Sequence, residues 1–171
     1  GATVIKVENP RTNGDVTRSW KLPSETHDST ISAYFASINY GKEYRWIDLT
    51  QLENRSAIEE LIQSSDIVIV NFKEGDDRKF RLTAEDIHTL QPNAIYASLK
   101  GFQSDADRIA YDVVLQAECG FMFMNGNASS GPLKMPVALI DVIAAHQLKE
   151  GILCALILRS KTGKGSVVRT T

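Results

Sequence analysis

The sequence has little that would cross-link or export it. Two cysteines, Cys119 and Cys154, stand among 171 residues, too few for the disulfide framework of a small secreted domain. Both have apolar neighbours, so we expect buried free thiols in a reducing compartment. The localisation that we predict is therefore cytoplasmic.

The sequence also lacks a charge surplus of either sign. Lys and Arg together number 19 against 21 for Asp and Glu, a formal net charge of -2. Such a balance gives no general attraction to nucleic acid, and no basic run indicates a membrane partner. The longest apolar stretch is interrupted by polar residues from His146 onward, short of the roughly 18 residues that a membrane span needs. A hydrophobic content of 43% and this length favour one globular domain over residues 1–171.

Several familiar site motifs are absent or incomplete. Gly163–Ser166 resembles the end of a phosphate loop, but Leu158 occupies the position of its first glycine, so we interpret the segment as a helix C-cap and turn. No GxGxxG follows a strand, and no serine lies in a GxSxG elbow. His27, His88 and His146 lack ligand spacing, so we predict no metal site.

Strands and helices alternate along the chain. The patterns predict strands at residues 3–8, 44–49, 66–70 and 94–99, a final extended segment at 166–170, and helices at 31–39, 53–64, 83–91, 110–117 and 135–160. Thr83 and Asp86 form a capping box at one helix start. This alternation predicts an α/β fold with a doubly wound, mainly parallel sheet, helices on both faces and a long apolar last helix. The loops that begin at Asn9, Leu49, Asn71 and Lys100 are then expected at the carboxyl edge, where such sheets bind ligands.

One carboxylate stands at the apolar beginning of the last helix. Asp141 belongs to the stretch Met135–Ser160, the longest apolar run in the sequence. A buried carboxylate without a partner is costly, so such a residue is normally capped, paired, protonated or used in chemistry. Because Asp is a preferred N-cap residue, the helix pattern alone leaves capping and catalysis both open.

A set of motifs in a fixed order gives the sequence a family resemblance. These motifs are GATVIKVENP, GDVTRSW, SAYF, GKEYRWIDL, DIVIVNFKEG, AYDVVLQA, residues 137–151 and KTGKG. Together they resemble the family III CoA-transferases, which include formyl-CoA transferase, carnitine CoA-transferase and the α-methylacyl-CoA racemases. The resemblance implies a Rossmann-like large domain that binds coenzyme A as substrate and product, without a metal.

The resemblance also implies a nucleophile. In the family an Asp at a helix start, about 30 residues after the Tyr of an AYD-like motif, attacks the acyl-CoA thioester; Tyr111 and Asp141 match these positions. The carboxylate would form a mixed anhydride and then an enzyme-CoA thioester. We expect the helix amino terminus to keep Asp141 ionised, with capping as a compatible second role.

The family's coenzyme A contacts carry over to positions along much of the chain. The matching residues are Tyr34, Leu49, Thr50, Asn71, Phe72, Lys79, Phe80 and Tyr111. An apolar floor for adenine and a cation for phosphate give these residue types a physical role. Two positions depart from the family: Asn9 replaces an Arg and Ile109 replaces a Lys. The missing charge would then come from Arg11, Arg18, Arg78 or Arg108.

Family members are interlocked homodimers that extend beyond both ends of this sequence, so we interpret residues 1–171 as part of a large domain. The partners implied are acyl-CoA, a carboxylic acid and a second copy of the chain. Two alternatives stay open: a 2-methylacyl-CoA racemase, disfavoured because racemases carry His at the position of Tyr111, and a non-catalytic CoA-binding or structural fragment.

Overall fold

Five parallel-paired strands and seven α-helices form the fold of the residues that the structure describes. The computed structural model describes residues 1–26, 28–102 and 108–171. The strands are β1 Ile5–Glu8, β2 Glu43–Trp46, β3 Ile67–Val70, β4 Ile95–Leu99 and β5 Ser166–Thr170. The helices are α1 Ala33–Asn39, α2 Arg55–Gln63, α3 Asp76–Lys79, α4 Ala84–Leu90, α5 Asp112–Glu118, α6 Phe121–Asn125 and α7 Leu139–Thr162. The chain divides into two compact units, Gly1–Glu60 and Leu61–Thr171.

The first unit is built on the parallel pair of β1 and β2, in which Ile5 lies opposite Glu43. Helix α1 connects the two strands. Its N-cap residue is Ser32, whose hydroxyl accepts a hydrogen bond from the Phe35 amide at 2.9 Å. Phe35 is fully buried. A capped helix that carries one large apolar anchor thus fills the core of this unit.

The second unit contains a three-stranded parallel sheet in the order β3-β4-β5. The central strand has a fully buried Ile95 and Ala97, as expected for a strand covered on both faces. Helix α7 lies against β4 and β5. A side chain at Gly151 would meet Val168 Cγ1 at 2.6 Å, so glycine at this position permits the close approach of helix and strand.

The α/β class is confirmed, and most elements lie within two residues of their predicted bounds. The capping box of Thr83 and Asp86 is present. Gly163 is the left-handed C-cap of α7, with φ of 70°, which confirms the cap interpretation of that segment. Helices α3 and α6 were not predicted, since both are shorter than two turns and carry little periodicity.

Two expectations about burial are wrong. Cys119 and Cys154 are free thiols but exposed, because apolar sequence neighbours do not cover a side chain unless another element packs over it. The same holds for the long helix: large apolar side chains such as Val142, Leu153 and Ile157 are exposed. No helix among the described residues has the length and apolar character to span a membrane.

Candidate active site

The first turn of α7 contains Asp141, as the third residue of the helix. The N-cap residue is Ala138, which offers no side-chain hydrogen bond. The prediction that Asp141 caps its own helix is therefore wrong, because the helix begins two residues earlier than the carboxylate. Asp141 lies in no ion pair that the structure describes, so its carboxylate is not assigned to structural pairing.

A different carboxylate satisfies the free amides of this turn. Asp112 Oδ1 accepts hydrogen bonds from the backbone N–H of Ile140 at 2.8 Å and of Asp141 at 3.3 Å. Asp112 is the first residue of α5. The start of one helix thus supplies the cap for another, across 29 residues of sequence, and a negative charge there also interacts favourably with the helix dipole.

Gln116 fixes this arrangement from one turn further along α5. Its side chain is fully buried. The amide nitrogen donates to Asp112 Oδ2 and, at 3.1 Å, to the Val137 carbonyl. The amide oxygen accepts from Met135 N–H at 2.7 Å. One side chain therefore holds both the capping carboxylate and the segment that leads into α7.

The electrostatic environment of Asp141 raises the pKa of its carboxyl above the ordinary value of 3.8. Although Asp141 is an exposed residue, partial removal of its carboxyl from water is the larger cause, since it disfavours the charged form, and repulsion from Asp112 adds to it. We had expected the helix amino terminus to favour the ionised form. Desolvation and the Asp112 charge oppose that effect and raise the pKa instead.

Tyr111 lies beside this cluster. It is the N-cap residue of α5, immediately before Asp112, and its side chain is 71% exposed. Tyr111 and Asp141 are thus both neighbours of Asp112, Tyr111 in sequence and Asp141 through its backbone hydrogen bond. Exposure of the ring leaves it available to a ligand.

A second group of predicted residues lies after β3 in the same unit. The rings of Phe72 and Phe80 have centroids 5.6 Å apart, and Lys79 Nζ stands 5.3 Å from the Phe80 ring centroid. Asn71, which directly follows β3, is exposed. Lys100, after β4, is ion-paired with Glu74 in the loop after β3. The carboxyl ends of these two strands therefore meet at one edge, as predicted.

The predicted contacts of the first unit surround the ends of α1 and β2. Tyr34 is half-exposed on α1, with its ring centroid 5.2 Å from that of Trp20. Leu49 and Thr50 follow β2 in a turn held by the buried Asp48, whose Oδ1 accepts from the Thr50 hydroxyl at 2.7 Å. Tyr34 and Thr50 are exposed and Leu49 is partly exposed, so a ligand of this unit could reach all three side chains.

Arg18 is unsuited to the phosphate role that we considered for it. Its guanidinium makes two hydrogen bonds to the buried Glu8, at 2.8 and 2.9 Å, and its Cζ lies 4.0 Å from the Phe35 ring centroid. Arg108 donates to Glu118 at 2.6 Å. Arg11 and Arg78 are the exposed alternatives. Arg11 lies 3.7 Å from Asp48, and its backbone amide donates to the Asn9 side chain, which offers no charge.

Sequence reasoning missed two features of the structure. One is the Asp112 and Gln116 pair, which the four-residue spacing on a helix would have placed on one face. The other is a cavity of about 1050 Å³ in the first unit, bordered by Arg18, Lys21 and Trp46 among others. The residues around it come from loops without periodicity, so no pattern marks them. Within the described ranges no group of three His, Cys, Asp or Glu side chains is arranged to hold a metal.

Comparison with known proteins agrees with the fold. The whole chain, residues 1–171, matches CoA-transferase family III. The succinate–glutarate CoA-transferase of Agrobacterium fabrum is 36% identical, over 96% of this chain and 42% of that protein. Formyl-CoA:oxalate CoA-transferase of Escherichia coli is 34% identical, over 98% of this chain and 40% of that protein. The crystal structure of a CaiB/BaiF family protein from Brucella suis superposes with a TM-score of 0.89 at 36% identity, covering 98% of this chain and 45% of that one.

The parallel α/β fold places a carboxylate in the first turn of a long helix. The chain belongs to CoA-transferase family III. It spans about two fifths of the length of these relatives.

Proposed function

We propose that the protein to which this chain belongs transfers coenzyme A between an acyl-CoA and a carboxylic acid, with Asp141 as nucleophile. The observation that carries the proposal is the placement of Asp141 in the first turn of α7, capped by another residue and thus free for chemistry. The family match over the full chain supports the same assignment.

The proposed reaction has four balanced steps. The Asp141 carboxylate attacks the thioester carbonyl, and CoA thiolate leaves as a mixed anhydride forms. The thiolate then attacks the Asp141 carbonyl, which releases the donor acid and leaves an enzyme-CoA thioester. The acceptor carboxylate attacks this thioester, which forms a second mixed anhydride on Asp141 and expels CoA thiolate again. Attack of the thiolate on the acceptor carbonyl yields the new acyl-CoA and regenerates Asp141.

Trapping with hydroxylamine tests the nucleophile. We expect acyl-CoA followed by hydroxylamine to convert the Asp141 carboxyl to a hydroxamate, found by mass spectrometry of the peptide. Asp141→Asn should abolish both the adduct and transfer, whereas Asp66→Asn, at an exposed carboxylate paired with Arg159, should leave both. Continued transfer with Asp141 unmodified would contradict the assignment.

We propose further that Phe72, Lys79 and Phe80 contribute to the coenzyme A site. The close approach of two aromatic rings and an ammonium group suits a stacked base next to a phosphate. Lys79→Met should weaken CoA binding about tenfold in calorimetry, the scale of one lost charge-assisted contact. Lys73→Met, in the loop between β3 and α3, is the matched control. Equal loss in the two variants would indicate a general charge effect rather than a specific contact.

The proposal includes a cytoplasmic homodimer in which residues 1–171 belong to one large domain. Support comes from the family resemblance. Sedimentation of the complete protein tests the assembly, and a monomer that transfers CoA would contradict it. Racemisation is tested separately, since exchange of solvent deuterium into the α-carbon of a 2-methylacyl-CoA without an acceptor requires no CoA transfer.

A further inference from the structure

We propose that Asp112, anchored by Gln116, is a positioning residue that sets the orientation of Asp141 for attack on the thioester. The inference rests on the proposed function of Asp141, because positioning matters only if this carboxylate reacts. The contacts that carry it are the two hydrogen bonds from the first turn of α7 to one Asp112 oxygen.

The geometry ties Asp112 to the reacting residue itself. Asp112 Oδ1 accepts from the Asp141 backbone N–H at 3.3 Å and from the preceding amide at 2.8 Å. These bonds fix the backbone from which the Asp141 side chain projects. A displacement of about 1 Å at a reacting group lowers rates by about 100-fold, so a small movement of this turn is enough to affect turnover.

Gln116 makes Asp112 a rigid support rather than a mobile surface carboxylate. The second Asp112 oxygen accepts from the Gln116 amide, and Gln116 is fully buried with its oxygen and nitrogen both bonded to the segment that precedes α7. Asp112 therefore has one oxygen toward the nucleophile's helix and one toward its anchor. Rotation of either side chain would leave buried polar groups without partners.

The charge of Asp112 adds an effect that a structural cap would not have. Among the described residues, Asp112 is the one titratable group that contributes, along with burial, to the raised pKa of Asp141. The charged or titratable side chains on the elements packed around α7 also include Glu118, Lys134, Tyr96 and Arg169, and none of these contributes to that shift. Loss of the Asp112 charge should therefore lower the pKa of Asp141 and move its ionisation to lower pH.

Two variants separate the contributions of the cap and the charge. Asp112→Asn keeps an amide oxygen that can accept from α7 and removes the charge; Asp112→Ala removes both. We expect the acid limb of the kcat/KM profile to move to lower pH in Asp112→Asn, with KM for acyl-CoA within about twofold of wild type. Asp112→Ala should lower kcat by about 100-fold. Glu118→Gln, at the other end of α5, is the control and should change neither quantity.

A titration that needs no turnover keeps this test independent of the proposed function. The Asp141 carboxyl carbon, observed by NMR in aspartate-labelled protein, should titrate at lower pH in Asp112→Asn than in wild type. An unchanged midpoint in a variant with wild-type kcat overturns the inference, as does an equal shift in Glu118→Gln. If the midpoint moves but the wild-type protein transfers no CoA, the coupling of the two carboxylates is supported and the proposed function fails.

Discussion

Two carboxylates in different units of the molecule have pKa values shifted in opposite directions. Glu8, in the first unit, has a side chain only 1% exposed, and it receives two hydrogen bonds from the Arg18 guanidinium and one from the Asp15 amide. Asp141, in the second unit, has a carboxylate as its neighbour and no described cation. Burial raises the pKa of both groups, but in Glu8 the bonds from Arg18 and Asp15, with the charge of Lys6, outweigh burial and lower it.

The difference separates a carboxylate that holds structure from one available for reaction. The Glu8 oxygens are occupied, and the stacking of Arg18 on Phe35 further restricts the pair. Such a group can neither move nor attack without the loss of several contacts. Asp112, anchored by Gln116, likewise holds the backbone around Asp141 by hydrogen bonds. The described bonds of this network involve the Asp141 amide and not its carboxylate oxygens.

The largest effect is expected from removal of the cation that pairs with Glu8. Arg18→Met removes both guanidinium hydrogen bonds from a buried carboxylate, which keeps only the Asp15 amide and the longer ion pair with Lys6 at 3.5 Å. The change should lower the free energy of unfolding by about 3 kcal/mol. Urea denaturation followed by tryptophan fluorescence measures it, because Trp20 and Trp46 both belong to the first unit.

The matched control is Arg45→Met, since Arg45 pairs with Glu43 at 3.0 Å while both side chains are about half exposed. Surface pairs of this kind contribute about 1 kcal/mol or less. Similar losses of unfolding free energy in the two variants would mean that burial does not make the Glu8 pair stronger than the surface pair of Arg45 and Glu43.

A smaller effect is expected in the second unit from Gln116→Leu. The change leaves the Met135 amide and the Val137 carbonyl without partners, so we expect a loss of about 2–3 kcal/mol. Hydrogen exchange should also accelerate at the Ile140 amide, because its acceptor Asp112 loses its anchor. Thr89→Val, an exposed substitution on α4, is the control. Slow exchange at Ile140 in Gln116→Leu would show that Asp112 needs no support.

Sequence patterns predicted the elements better than the contacts between them. The positions of β3 and β4, the capping box at Thr83 and the glycine after α7 are local signals, and each was found where the pattern indicated it. Ile69 of β3 is nevertheless 61% exposed. The cap on α7 was missed, because the Asp112 carboxylate lies 28 residues before the Ile140 amide that it binds. The exposure of Cys119 and Cys154 was missed for the same reason: burial depends on what packs above a residue, which composition does not state.

The family motifs predicted which residues to inspect but not their surroundings. Asp141 and Tyr111 were chosen by position in the pattern, and the structure places both next to Asp112. Arg18 fitted a phosphate role by charge alone, and its pairing with Glu8 was invisible from a spacing of ten residues through an irregular loop. Charge type is a sequence property, whereas the availability of a charge is a property of the fold.

The smallest effect concerns pH, and here the two carboxylates should differ in sign. The pKa of Glu8 is lowered on folding, so its ionised form stabilises the protein above the ordinary pKa of 4.5, and that contribution is lost as pH falls through the folded-state pKa. The pKa of Asp141 is raised from 3.8, so the folded state prefers its protonated form. Ionisation of Asp141 therefore lowers stability as pH rises through the folded-state pKa.

Neutral replacements should reveal these opposite signs. At about pH 7, Glu8→Gln should be less stable than wild type, and Asp141→Asn more stable by less than about 0.5 kcal/mol, since Asp141 is largely solvent-exposed. Both differences should shrink as the pH falls through the folded-state pKa of each wild-type carboxyl, which lies at a lower pH for Glu8 than its ordinary value and at a higher pH for Asp141. Urea midpoints from circular dichroism across this range measure both. If Asp141→Asn proved less stable than wild type at neutral pH, the Asp141 carboxylate would be a structural group like Glu8, and the contrast between the two sites would fail.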